Sequence, residues 1–297
     1  MGSHYTGACM GMPYALGAVR ARTALALMAP LALAGAALAS TKVAGTVGRN
    51  LIGATPTRLG ELVVVAVAFA ATAAFNRLRI PTSTIQILVA SVVGTAVAAA
   101  AGVRWETIGK LALVWVLAPF AAAALGFAGS KALGGIGGGS SLGGALVAVG
   151  CLASFTMGAN DVSNASGALV GADVLGAHAA GLVCGAGLAA GVLITGRPLL
   201  ERVAFDIVDV DRTTAAAAQF VQAAVVLVAV SFGLFTSLNQ ALVGGMAGAA
   251  TARGREAVHT STLLAIARGW VTGPPAAFAL SLGVALLVRA GGGSLAH

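Results

Sequence analysis

The chain is a succession of apolar stretches broken by brief polar connections, and this pattern decides what it can fold into. The stretches fall at about residues 23–40, 61–75, 83–102, 107–128, 143–157, 178–196, 213–234, 237–252 and 262–288. Charge is almost confined to the gaps between them: only 9% of the 297 residues are charged, against about a quarter in an ordinary soluble domain. A water-facing surface cannot be built from so few. Roughly 20 apolar residues cross a bilayer as a helix, so the length allows on the order of ten crossings, although several stretches are short for a full span. The fold class this predicts is an all-α, polytopic membrane protein of the cell membrane.

The basic excess of +8 sits in the connections, at Arg20 and Arg22, Arg49 and Arg58, Arg77 and Arg79, Arg253 and Arg255. There it sets topology and touches lipid headgroups, and a nucleic-acid partner is not expected. Cys9, Cys151 and Cys184 stand singly with no histidine nearby, which makes them packing thiols. The first six residues lack the basic and apolar sequence of a cleavable signal, so the N-terminus is expected to help build the membrane domain.

Residues 134–144, GGIGGGSSLGG, read as a flexible linker near the midpoint. They divide the chain into an N-terminal membrane unit over residues 1–133 and a C-terminal one over residues 145–297. The two halves match with a shift of 154 or 155 residues. TSTIQILV from Thr82, with Gly94, overlies TSLNQALV from Thr236, with Gly248; WVLAP from Trp115 overlies WVTGP from Trp270. Two copies of a membrane unit, each with a short Gly-interrupted apolar segment, point to a secondary transporter whose site lies at the repeat interface. An odd number of crossings per unit would make the repeats inverted. Residues 197–212, with four of the nine acids, read as a solvated loop.

The densest polar run inside apolar surroundings is residues 158–167, GANDVSNASG. An aspartate at mid-bilayer costs about 3 kcal/mol on insertion scales, so Asp161 needs a partner. Asn160, Ser163, Asn164 and Ser166 offer amides and hydroxyls, while Gly158 and Gly167 permit a re-entrant helical break. A half-helix N-terminus there would offer free N–H groups to an anion, and Asp161 suits the coupling cation, sodium or a proton. Thr82, Ser83, Thr84 and Gln86, with Thr236, Ser237, Asn239 and Gln240, place hydroxyls and amides at the starts of two helices.

The run at 158–165 resembles the GANDVANA signature of the inorganic phosphate transporter (PiT) family. The segment from Pro81 to Thr84 resembles that family's PVSTTH, and the runs Trp115 to Pro119 and Trp270 to Pro274 resemble its next motif, Trp-x-x-x-Pro. The resemblance implies inverted repeats with two helical hairpins meeting at mid-membrane, an oxyanion held by both copies, symport with sodium or protons, and a homodimer in many members. Carried over by position, it puts Asn160, Asp161 and Asn164 at the ion and substrate site, and Ser83, Thr84 and Ser237 on the anion. The chain departs from the pattern in three places. Residues 7–17, GACMGMPYALG, carry no carboxylate where the N-terminal signature should repeat Asn-Asp; Gln86 and Gln240 replace the histidine; and Phe235 replaces the second proline.

These losses bear on the substrate. Phosphate keeps one or two protons at neutral pH and is distinguished by acceptors, whereas sulfate needs donors only. Losing an aspartate and two histidines moves the balance towards sulfate, and the run from Met10 to Ala18 is similar to the sulfate-permease branch. The family as a whole carries mostly phosphate, so phosphate is the reading and sulfate the alternative. An intramembrane enzyme would need a carboxylate or histidine cluster that the sequence lacks, and no catalytic residue or enzymatic cofactor is expected. A non-transporting paralogue is the remaining rival. Arg268, inside the last apolar stretch, would snorkel, pair with Glu256, or bring positive charge to the anion path, while His178 and His259 read as interfacial.

Overall fold

The computed structural model describes residues 2–78, 82–133, 140–201, 211–254 and 260–297. Among them, a short 3-10 turn (Gly2–Tyr5) and a π-helical turn (Gly7–Gly11) lead into thirteen α-helices: α1 (Met12–Ala15), α2 (Ala21–Ala39), α3 (Thr41–Arg49), α4 (Arg58–Arg77), α5 (Thr84–Ala99), α6 (Trp105–Leu133), α7 (Ser140–Asp161), α8 (Ser163–Gly171), α9 (Ala177–Thr195), α10 (Arg197–Leu200), α11 (Arg212–Ser231), α12 (Leu238–Thr251) and α13 (Thr260–Ala290). Seven apolar spans among the described residues are long enough to cross a bilayer: α2, α4, α6, α7 continued by α8, α9, α11 and α13. The protein is a multi-pass, all-helical membrane protein.

Two of the nine apolar stretches do not cross. At 1.5 Å per residue, the 16 residues of α5 and the 14 of α12 rise only about 24 and 21 Å, less than the ~30 Å hydrocarbon core. Each starts in the protein interior, capped by a serine. Ser83 Oγ accepts from the Gln86 N–H at 3.4 Å, and Ser237 Oγ from the Gln240 N–H at 3.3 Å.

The element order repeats. A displacement of 154 residues carries the first residue of α4 onto that of α11 and the first of α5 onto that of α12, and 155 carries the first of α6 onto that of α13. The contacts exchange in the same way: α5 packs on α13 while α12 packs on α6. At the first crossing a Cβ on Gly94 would stand 2.6 Å from the Phe278 carbonyl oxygen. At the second a Cβ on Gly248 would collide outright with the Ala123 carbonyl, so both helices need glycine to approach. Ser281 Oγ bonds Ser91 O at 2.7 Å where the equivalent residues, Gly126 and Gly245, meet backbone to backbone.

Apolar groups face outward and polar groups inward. Phe69, Phe120, Ile194, Phe232 and Leu287 are each at least 70% exposed, as suits side chains meeting lipid, while Asn160, Asp161, Ser163 and Gln222 are fully buried. Ser140 to Gly144 form the first turn of α7, and residues 134–139 of the expected linker lie outside the described residues, as do residues 202–210 of the expected loop.

Candidate functional site at the starts of the two short helices

The signature run does not open the membrane helix as widely as its glycines suggest. α7 runs on to Asp161, only Val162 interrupts it, and α8 resumes at Ser163. Val162 keeps helical angles (φ −61°, ψ −28°) and its carbonyl accepts from the Ala165 and Ser166 N–H groups. The glycines serve packing instead. A Cβ on Gly158 would collide with the Ala32 carbonyl of α2, and one on Gly167 with Val47 of α3. The free N–H groups near the site therefore come from the first turns of α5 and α12, which begin in the interior at Ser83 and Ser237.

Asn160 ties the two elements together. Its Nδ2 donates to Thr236 O at 2.8 Å while its Oδ1 accepts from the Thr236 N–H at 3.2 Å, so one amide satisfies both backbone groups of the residue before the Ser237 cap. The same Nδ2 donates to Asp161 Oδ2 at 3.1 Å, and the Asn160 carbonyl accepts from Ser163 Oγ. Asn164 is buried in the turn beyond. On the other half, Tyr5 OH and Thr84 Oγ1 are 2.6 Å apart, and the phenol stands beside the Asp161 carboxylate. Gln86 Nε2 donates to Gln240 Oε1 at 3.2 Å, joining α5 to α12.

Of the polar residues the sequence offers for the site, Ser83, Thr84, Gln86, Asn160, Ser163, Asn164, Thr236, Ser237 and Gln240 are brought to one buried place and are at most 5% exposed. Asn239 is the exception and is only partly buried. Arg268 and His178 are exposed, so neither faces this site, and Glu256 and His259 lie outside the described residues. Tyr5 was legible only as a neighbour of the degenerate run at 7–17. Laying Gly7-Ala8 of that run on Gly158-Ala159, a shift of 151, puts Cys9 opposite Asn160 and Met10 opposite Asp161, so the N-terminal half has neither the clasp nor the carboxylate.

Several buried oxygens here lack a hydrogen-bond partner: Asp161 Oδ1, Gln86 Oε1, Thr236 Oγ1 and Ser166 Oγ. Such atoms cost about 1–3 kcal/mol each unless a ligand, an ion or water meets them. Among the described residues no three His, Cys, Asp or Glu side chains converge as a transition-metal site would require. An all-oxygen set suits a hard cation or protonated groups.

A profile of the phosphate transporter family matches residues 1–136 and 140–281. The sulfate permease CysP of Bacillus subtilis (strain 168) is 29% identical over 307 residues, which cover 98% of this chain and 85% of that protein. The chloroplastic inorganic phosphate transporter 2-1 of Arabidopsis thaliana is 34% identical over 145 residues, 44% of this chain and 25% of its own. A solved structure described as the sodium-dependent phosphate transporter superposes with a TM-score of 0.87 at 19% identity, covering 97% of this chain and 95% of that one, and shows the same fold.

Proposed function

Since the chain belongs to the phosphate transporter family, we propose that it carries inorganic phosphate across the membrane, as a symporter working by alternating access of two inverted repeats. It is a transporter in family and fold and not an enzyme. The observation that carries the choice of substrate is the unmet acceptor at the site that the cation does not claim, Gln86 Oε1. Hydrogen phosphate brings an O–H group that can donate to it, and sulfate brings none. The anion's other oxygens would take the free N–H groups and hydroxyls at Ser83, Thr84 and Ser237, where both short helices point their positive ends.

Asp161 takes the coupling cation in this reading. With Met10 where the N-terminal half would place the counterpart of Asp161, one cation bound at Asp161 Oδ1 and Thr236 Oγ1 balances the local charge. Sodium fits these oxygens, and the fold is shared with a sodium-dependent phosphate transporter; a proton on the carboxylate is the other coupling ion that the site would accept. The repeats divide the chain at residues 134–144, each unit giving one short helix to the site. A homodimer, implied by the family resemblance, completes the proposal.

A second reading has its own support. The relative matched along 98% of this chain is a sulfate permease, and the imidazoles that could accept from phosphate are Gln86 and Gln240 here. Uptake of labelled phosphate and of labelled sulfate into proteoliposomes, each under a sodium or a proton gradient, separates the two. Phosphate accumulated under a sodium gradient is the expected result. Sulfate accumulated in preference would transfer the site to the permease reading.

A further inference from the structure

α11 buries polar side chains that take no part in the site between α5, α7 and α12. Thr214, Gln219 and Gln222 are all fully buried, and Thr214 Oγ1, Gln219 Oε1 and both amide atoms of Gln222 have no partner. Gln219 uses only its Nε2, which donates to Cys9 O at 2.6 Å and to Ala8 O at 3.3 Å. On α7, which packs against α11, Thr156 Oγ1 is likewise unmet. A primary amide with neither end satisfied costs several kcal/mol in a dry interior, and a membrane offers no water except in a protein-lined cavity.

The fold does not require these groups. The 154-residue shift overlies them on Gly60, Val65 and Ala68 of α4, which forms the same 20-residue helix without a polar side chain at any of the three places. Their position gives them a direction. Arg253, just past the end of α12, pairs with Asp211 at the cap of α11, so both helices leave the same membrane face. α12 rises about 21 Å from there to Ser237 at the site. Along α11, measured from Asp211, Thr214 lies about 4 Å up, Gln219 about 12 Å and Gln222 about 16 Å, within roughly one helical turn of the site's level.

We propose that Thr214, Gln219 and Gln222 line a one-sided aqueous route between the Asp211–Arg253 face and the buried site, with the Gln222 amide as its innermost polar contact for water and for the departing or arriving oxyanion. The route deepens the transport reading and rests on it for the identity of the cargo. The N-terminal half has Gly60, Val65 and Ala68 in these places, so α4 repeats none of the three amide or hydroxyl groups and carries the partly buried Glu61 instead. The two access routes are chemically unequal, as the two halves of the site are.

The test uses the full-length protein in sided membrane vesicles, with Cys151→Ser and Cys184→Ser as background and the signal of that background subtracted. Thr214→Cys, Gln222→Cys, Ala68→Cys and the face marker Arg253→Cys are each exposed to an impermeant anionic methanethiosulfonate, from one side and then the other. Thr214→Cys and Gln222→Cys are expected to react from the side on which Arg253→Cys reacts, at least about tenfold faster than from the other, with Ala68→Cys inert from both. In parallel, Gln222→Leu, which fills and dries the route, should cut phosphate exchange at least about tenfold, while Gln222→Ala, which leaves room for water, keeps at least about a third. Inert or equally two-sided labelling of Thr214→Cys and Gln222→Cys would overturn the route, as would native exchange by Gln222→Leu. One-sided labelling in a protein that moves neither phosphate nor sulfate would uphold the route and refute the proposed cargo.

Discussion

Replacing Asn160 by alanine removes more than any other single amide here would. Three hydrogen bonds go at once: 2.8 and 3.2 Å to the two backbone groups of Thr236, and 3.1 Å to Asp161. Neutral bonds contribute about 1 kcal/mol net each and one to a charged carboxylate about 1.5–3 kcal/mol, so the direct loss is roughly 3.5–5 kcal/mol. The Thr236 N–H and C=O would then be buried and unpaired immediately before the Ser237 cap, and α12 would lose the tie that sets its start. Water entering the space left by the side chain could recover about half. A residual 2 kcal/mol still corresponds to roughly 30-fold. We therefore expect Asn160→Ala to insert into the membrane, to melt several degrees lower in detergent, and to take up phosphate at most about one thirtieth as fast. Ser163→Ala, which removes a single bond to the Asn160 carbonyl, is the internal comparison and should lose no more than about tenfold. If Asn160→Ala transports and melts as the native protein does, or falls no further than Ser163→Ala, the clasp does not hold the site together.

Other consequences come from the same geometry. Gly248→Val should prevent α12 from seating on α6, because even a Cβ would collide with the Ala123 carbonyl. Gly94→Val, whose Cβ would stand 2.6 Å from the Phe278 carbonyl oxygen, meets its neighbour less closely and should be the milder of the two. The yield of monodisperse protein and the melting temperature would rank them. Tyr5→Phe removes the 2.6 Å bond to Thr84 and the hydroxyl that stands beside the Asp161 carboxylate, so a rise of roughly tenfold in the KM for phosphate is expected with folding intact. Uncoupling the exposed Arg49–Asp173 pair, 2.9 Å apart with both side chains more than 60% exposed, should leave both the melting temperature and uptake unchanged within error.

Much of the site was legible because polarity is rare in this sequence. Asn160, Asp161, Ser163 and Asn164 stand out against apolar neighbours, and the repeat drew attention to Ser83 and Ser237, which cap α5 and α12 as their type predicts. The repeat also identified the two short helices, although sequence hydropathy alone could not tell a segment that crosses from one that starts at mid-membrane. The break at 158–167 misled for a physical reason. Glycine permits an open turn but serves equally for close packing, and here Gly158 and Gly167 meet α2 and α3 while the helix continues almost unbroken. Asn239 shares composition with the site and differs only in which side of α12 it occupies, which composition does not record. The glutamines of α11 were visible as polar groups in an apolar stretch, and Tyr5 only as a neighbour of the run at 7–17, but their meaning depends on what they touch. Gln219 reaches the Cys9 carbonyl across 210 residues of chain, and Gln222 reaches nothing. Such facts appear only when the helices are assembled.

Asp161→Asn decides whether the one fully buried carboxylate among the described residues carries the driving ion, because the amide keeps the size and one acceptor oxygen while the charge is removed. In proteoliposomes supplied with labelled phosphate, this variant is expected to insert normally and to show uptake that no longer responds to either a sodium or a proton gradient. Uptake by Asp161→Asn at the native rate, still driven by the ion gradient, would take the coupling ion away from this carboxylate.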